Sequence, residues 1–336
     1  MATGTTETTE TTPDPDSTTG LGPGSGGTSS GAGTGSSSGE STGVLSECDD
    51  GRLNSLETDV DCGGPDCPAC PGGSACIQDT DCRSSVCGDR PGECVDPVVW
   101  LDASDPSLLY TEDDCRSAVV NDGDPVRCWR NRGTSGVPFV SEDDPASYDA
   151  QGAVHLDDNV LAAEVFDGNV DDVAVFAVFT EVGGTNSFDF NLNHPNTSNV
   201  TRYSAHLPWN GTRNLVWDPG NTMGARVQTG PDLVAVGEIH IYGLINSAAS
   251  DRREIILDGL MVDGEDGASD APASGVSLGD RANILAHEFR IYEPAPDLEA
   301  REVIEGALAC RWGLRDQLPQ GHRYYDADGD EPAGCP

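Results

Sequence analysis

Few stretches of this sequence combine residue types and spacing that could do chemistry, and most fail on their context. Gly275-Val-Ser277-Leu-Gly279 has the letters of a hydrolase nucleophile elbow. An elbow needs a strand-to-helix turn in an α/β sheet, and the flanking residues here read as strand and loop. His287-Glu288 begins a zincin-like pair, but Ile291 stands where the second imidazole would have to be. Cys67-Pro-Ala-Cys70 has zinc-ligand spacing, with no second such pair and no His pair after it. Gly22-Pro-Gly-Ser-Gly-Gly27 matches a dinucleotide fingerprint, yet no strand precedes it and no helix follows. No catalytic nucleophile, zinc site, redox pair or organic cofactor is expected.

Two kinds of constellation survive that test. Asp326-Ala-Asp328-Gly-Asp330-Glu331 alternates carboxylates around a glycine, as calcium loops do, although the later bidentate Glu of an EF-hand is missing. Asp49, Asp50, Asn54, Glu57, Asp59 and Asp61 form a second oxygen-rich group beside Cys48 and Cys62. Either could hold calcium; solvated turn residues would have the same composition. Tyr203, His206, Trp209, Asn210 and Trp217 put aromatic rings beside polar groups, with Trp209 following Pro208 at an Asn-Gly turn. Such a set suits a sugar ring, which offers an apolar face and hydrogen-bonding edges. Core packing would use the same rings.

The elements that must position these residues fall into three stretches. Residues 1–47 are rich in Thr, Gly and Ser, with Pro13, Pro15 and Pro23 and no basic residue, and read as a disordered tether. Residues 48–96 hold Cys48, Cys62, Cys67, Cys70, Cys76, Cys82, Cys87 and Cys94 with almost no large apolar residue. A module of that kind needs disulfides in place of a core, in a connectivity that spacing does not choose. Residues 97–336 read as one sandwich of many strands. Val173-Ala-Val-Phe-Ala-Val-Phe179 suits a buried central strand, and Glu254 to Val262 reads as a hairpin turning at Asp258-Gly259. His287 to Ile291 alternates, with Phe289 and Ile291 inward. One helix is expected from about Pro296 to Gly313, with Asp297 and Glu299 in its first turn and an apolar stripe of Leu298, Ile304, Leu308 and Trp312.

Composition narrows the partners. There are 58 acidic residues against 18 basic ones, all Arg, for a formal charge of −40. That field opposes nucleic acid and anionic surfaces. No apolar run approaches the roughly 20 residues of a transmembrane helix. The twelve Cys point to an oxidising compartment. Met1-Ala-Thr-Gly4 lacks the basic and apolar regions of a signal peptide. Export is therefore expected through a signal upstream of this start or already trimmed, a lipoprotein signal with its lipid anchor being one form.

Several motifs together carry a resemblance. Trp100-Leu-Asp-Ala-Ser-Asp105, Arg127-Cys-Trp129-Arg-Asn-Arg-Gly133, Arg202-Tyr-Ser-Ala-His-Leu-Pro-Trp209, Ile256-Leu-Asp-Gly-Leu260, Leu278-Gly279 and Glu288-Phe-Arg-Ile-Tyr292, followed by the helix to Trp312-Gly-Leu314, resemble the laminin-G-like jelly rolls of the concanavalin A-like lectin and glucanase superfamily. Glu57-Thr-Asp-Val-Asp-Cys-Gly-Gly64, Cys67-Pro-Ala-Cys70, Asp81-Cys82 and Cys87 resemble a cysteine-rich module of myxobacterial and other bacterial surface proteins. The resemblance implies an all-β jelly-roll sandwich with one C-terminal helix, displayed at the cell surface or secreted. Members of this superfamily that hydrolyse glycans carry Glu-x-Asp-x-x-Glu on one strand; the nearest match, Glu57-Thr-Asp59, ends at Cys62 and lies in the cysteine module. A non-catalytic surface protein that binds a glycan or glycoprotein, with calcium assisting, is the expectation. The alternatives are a structural envelope protein and an atypical glycoside hydrolase.

Position also suggests that Cys115 pairs with Cys128 and Cys310 with Cys335. Intact mass after alkylation of the native protein should therefore show no modified thiol; eight reactive thiols would overturn the oxidised module.

Overall fold

The structure, a computed structural model, describes residues 48–54, 56–88, 92–183, 189–195, 202–209, 211–220, 225–269, 271–326 and 335, with backbone alone at 271 and 272. The tether expected over residues 1–47 lies outside them. The strands run β1 Val99–Asp102, β2 Leu109–Tyr110, β3 Pro125–Val126, β4 Cys128–Trp129, β5 Phe139–Ser141 and β6 Ala146–Asp149. They continue as β7 Ala153–Asp157, β8 Leu161–Val170, β9 Val173–Glu181, β10 Phe190–His194, β11 Tyr203–His206 and β12 Asn214–Pro219. The last are β13 Val227–Pro231, β14 Ile239–Ser247, β15 Arg252–Leu257, β16 Leu260–Asp266, β17 Ala271–Leu278 and β18 Asn283–Tyr292, before the helix α1 Leu298–Trp312.

Two 9-stranded antiparallel sheets form the sandwich. The first has the order β16-β15-β14-β9-β18-β7-β6-β3 with β1 also on β18, the second β13-β12-β11-β10-β17-β8-β5-β4-β2. The chain passes repeatedly from one sheet to the other, for example at β7/β8, β8/β9, β9/β10, β13/β14, β16/β17 and β17/β18, which is the crossing of a jelly roll. At the hairpin between β15 and β16, Asp258 (φ 49) and Gly259 (φ 77) both take the left-handed region that a type I′ turn requires.

The core lies between the sheets. Trp129, Phe139, Phe190, Trp217 and Phe289 are fully buried there, and the Phe190 and Phe289 rings meet edge-on at 5.3 Å. Strand β9 explains its own sequence. Val173, Val175, Ala177 and Phe179 face this core, while Ala174, Phe176 and Val178 face a second one beneath α1. With no side in water, the strand is apolar throughout instead of alternating.

The helix closes that second core. Its N-cap Asp297 accepts from the Ala300 amide at 2.9 Å, and Gly313 (φ 68) ends it in a left-handed C-cap. Ala300, Val303, Ile304, Leu308 and Ala309 form the buried face. Leu298, expected in the apolar stripe, is instead 62% exposed, and the first turn packs through Ala300.

Beside α1 the same outer face buries charge. Asp102 pairs with Glu288 and Trp100 with Arg290 across β1 and β18, so all four side chains point away from the core formed by Leu101 and Phe289. Glu288, with no exposed surface, accepts from Trp100 Nε1 (2.8 Å), Arg290 Nε (2.7 Å) and Trp312 Nε1 (2.8 Å). Arg311 from the helix reaches both Glu288 and Asp102, and Arg132 reaches Asp102 at 3.1 Å. Burial alone would lift the Glu288 carboxyl; the Arg290 and Arg311 guanidinium groups outweigh it and hold it below the usual carboxylate range.

The cysteine-rich segment and the sandwich belong to one compact unit. Its bridges are Cys48–Cys67, Cys62–Cys70, Cys76–Cys87 and Cys82–Cys94, so the Cys67-x-x-Cys70 pair is split between two disulfides. Cys115–Cys128 and Cys310–Cys335 complete the set and no cysteine is free. Sulfur supplies the module's small core, and Val86 docks it onto the second apolar cluster. Replacing Glu288 by Gln leaves Arg290 buried without its counter-charge, a change that costs about 3–5 kcal/mol in comparable pairs. Urea unfolding of Glu288→Gln should show a loss of that size, and one below about 1 kcal/mol would refute the role given to this carboxylate.

Candidate functional site

The two sheets differ in what covers their outer faces. That of the first sheet carries α1 and the buried charges. On the second, alternation puts Phe190, Leu192, Tyr203, Ala205, Trp217, Val276 and Leu278 into the core. Their neighbours in Phe190-Asn-Leu-Asn193, Tyr203-Ser-Ala-His206, Trp217-Asp218 and Val276-Ser-Leu278 face the other way. Register then aligns residues far apart in the chain: Asp218 lies opposite Ser204, Ser204 opposite Asn191, Asn191 opposite Ser277, and Ser277 opposite Ala162. The result is a polar row across β12, β11, β10 and β17. Each of these four polar residues is at most 5% exposed. The Ser204 and Ser277 hydroxyls nevertheless find no hydrogen-bond partner among the described residues. Both hydroxyls are sealed from solvent, so the middle of the row is closed and only its ends are open.

At one end of the row stands an aromatic and basic group. Trp209 is half-buried, its ring 4.1 Å from that of His206 and 5.3 Å from the Arg226 guanidinium. Arg226 forks onto Asp218 at 2.7 and 2.8 Å, and Arg202 reaches the same carboxylate at 3.4 Å. At the other end, beyond Ser277, the face opens into a cleft of about 470 Å³ lined by Glu142, Ala162, Glu164, Phe166, His194, Ser274 and Gly275 among others. His194 Nε2 lies 2.7 Å from Glu142 Oε1, and the Ser274 hydroxyl donates to the His194 carbonyl at 3.1 Å.

Of the aromatic set expected from sequence, the structure brings together His206 and Trp209. Tyr203 and Trp217 are corrected to core residues, because both point between the sheets and have no exposed surface. Trp217 Nε1 donates to the Ile245 carbonyl at 3.0 Å, and the Tyr203 hydroxyl accepts from Asn246 Nδ2 at 3.2 Å, so each polar tip ties one sheet to the other. Neither presents a ring face to a ligand. Asn210 lies outside the described residues. Sequence reasoning missed Asn191, Ser204, Asp218, Phe166 and Glu164; the polar half of the strand alternation was the available signal.

The oxygen-rich groups serve turns. Asp61 accepts the Asp50 and Gly51 amides, Asp50 accepts the Arg52 amide and the Asn54 side chain, and Glu57 accepts the Asn54 amide. Asp59 accepts from Val60 and Ala75, and those amides hold its carboxyl below the usual range. Asp49 is exposed. Among the described residues, no three of these carboxylates converge as metal ligands; the two groups that do converge are built on disulfide sulfurs. Asp326 pairs with Arg315 at 3.2 Å, and Asp328 and Asp330 lie outside the described residues.

No family model and no curated protein matches this chain. Among solved structures it is similar to the binding domain of botulinum neurotoxin DC in complex with SialylT (10% identity, 54% of this chain and 48% of that one, TM-score 0.42). It is also similar to an arabinofuranosidase complexed with arabinofuranosyl-alpha-1,2-xylobiose (10% identity, 62% and 61%, TM-score 0.45). A third is the carbohydrate-binding module CBM66 from Bacillus subtilis (12% identity, 46% and 95%, TM-score 0.33). The chain spans about half of the neurotoxin domain. At these scores the likeness assigns no ligand.

One buried carboxyl holds the turn that carries Trp209. Asp189, 1% exposed, accepts the Leu207 amide. Burial pushes it up from 3.8 to about 7, more than the Leu207 amide lowers it, and Glu181 adds to the rise. The folded state thus binds a proton that the unfolded state releases, and this contribution to stability is lost as pH rises from about 4 through about 7. Melting temperature should fall between pH 5 and pH 8, with a shallower fall in Asp189→Asn; identical slopes would show that Asp189 is not the titrating group.

Proposed function

We propose that this chain is an exported, non-catalytic carbohydrate-binding protein whose ligand occupies the outer face of the second sheet. The observation that carries this reading is the outer face of the second sheet, which no helix covers among the described residues and which is open at Trp209 and at the cleft by Phe166. At its open ends the face offers the Trp209 indole beside Arg226, and the Phe166 ring beside Glu164, Glu142 and Ser274. That mixture matches a sugar, whose hydroxyls lie at its edges and whose C–H groups form its faces.

Export is supported by twelve cysteines held in six disulfides, which persist in oxidising compartments. No helix among the described residues is long and apolar enough to cross a membrane. The non-catalytic reading rests on the missing Glu-x-Asp-x-x-Glu pattern.

A glycan array, probed with calcium and again with chelator, tests the proposal. Selective binding that Trp209→Ala weakens about tenfold or more, with melting unchanged, is the expected result. Chelator sensitivity would assign calcium a part. Silence under both conditions would favour a structural role in the cell envelope.

A further inference from the structure

The cleft has a charge character from which a ligand class follows. Its geometry comes from two cross-strand pairings that share one glycine: His194 lies opposite Gly275 on one side and Glu164 lies opposite it on the other. Gly275 therefore forms a floor without a side chain between His194 and Glu164, whose strands are about 10 Å apart at twice the strand spacing. A Cβ at this position would meet the His194 carbonyl oxygen at 2.7 Å, so only glycine fits. Phe166 stands two residues beyond Glu164 on β8, and Glu142, directly after β5, closes the far wall. The hydroxyl within the cleft is that of Ser274, which donates to the His194 carbonyl at 3.1 Å.

Among the described residues no arginine lines the cleft, and the one lining group able to carry positive charge, His194, is held against Glu142. Glu142 and Glu164 are both exposed, in a chain of net charge −40. Local and global fields thus have the same sign. An anionic sugar would meet repulsion from both and find no counter-charge, whereas an ammonium group would be attracted by both and donate to the carboxylates.

We propose that the cleft takes an amine-bearing sugar: the ring stacks on Phe166 above the Gly275 floor, and its ammonium group donates hydrogen bonds to Glu164 and Glu142. This inference rests on the glycan-binding reading and assigns it a ligand class. Titration calorimetry of the full chain with glucosamine, N-acetylglucosamine and galacturonate oligomers of equal length tests it. The glucosamine oligomer should bind about tenfold or more tighter than its acetylated form, the uronate not measurably, and added salt should erode only the first. Glu164→Gln should abolish the preference while leaving the melting temperature unchanged. Equal binding of the amine and its acetylated form, a preference for the uronate, or a preference that survives in Glu164→Gln would overturn the amine assignment and leave a glycan site standing. Failure of all three oligomers together with a silent glycan array would overturn both.

Discussion

A carboxylate with no exposed surface, Glu288, is tolerable in this fold because donors from three elements converge on it: the Trp100 indole of β1, Arg290 of β18, and Trp312 with Arg311 of α1. Charge taken out of water is costly unless every lone pair is met. Each of these elements is thereby constrained by the other two. The helix cannot slide along the sheet without stranding Glu288, and β1 cannot change register without removing Trp100 from beneath Arg290 and Arg132, which stack on its ring at 4.5 Å each. The specificity of the first sheet's outer layer comes from this network, and the apolar contacts of Ile304 and Leu308 supply the burial around it.

That arrangement decides where a ligand can go. With helix and cysteine module occupying the first sheet's outer side, polar side chains accumulate on the outer side of the second. The contrast is written in the strands themselves. β9 is apolar on both faces because both are covered, whereas β10, β11 and β17 are apolar inward and polar outward. This face is polar, nearly water-excluded in its middle and open at its ends, by Trp209 and by the cleft beside Phe166.

The acidity has a separate structural use in the cysteine module. With too few apolar residues for a core, the segment holds its turns by disulfides and by carboxylates that accept backbone amides. Asp81 shows the principle: it takes the Gly64, Ile77 and Gln78 amides, which outweigh the cost of its burial and keep its carboxyl low. Acidic residues that a sequence suggests as cation ligands can therefore be committed to backbone donors instead.

Elements with local causes were legible in the chain. The run Val173 to Phe179 suited a buried strand, Asp258-Gly259 a tight hairpin, and Asp297 with Gly313 bracketed the helix, because each depends on a few neighbouring residues. The twelve cysteines likewise announced a stapled chain, and Cys115–Cys128 and Cys310–Cys335 followed from position. The candidate site was only half legible. Alternation places Tyr203 and His206 on opposite faces of β11, but which face meets the core depends on partners more than forty residues away, such as Asn246 beneath Tyr203. Only the tertiary structure aligned Asp218, Ser204, Asn191 and Ser277 in one row and set Gly275 between His194 and Glu164. The reason is physical: a strand's period of two is a property of its own backbone, whereas register between strands is chosen by core packing over the whole sandwich.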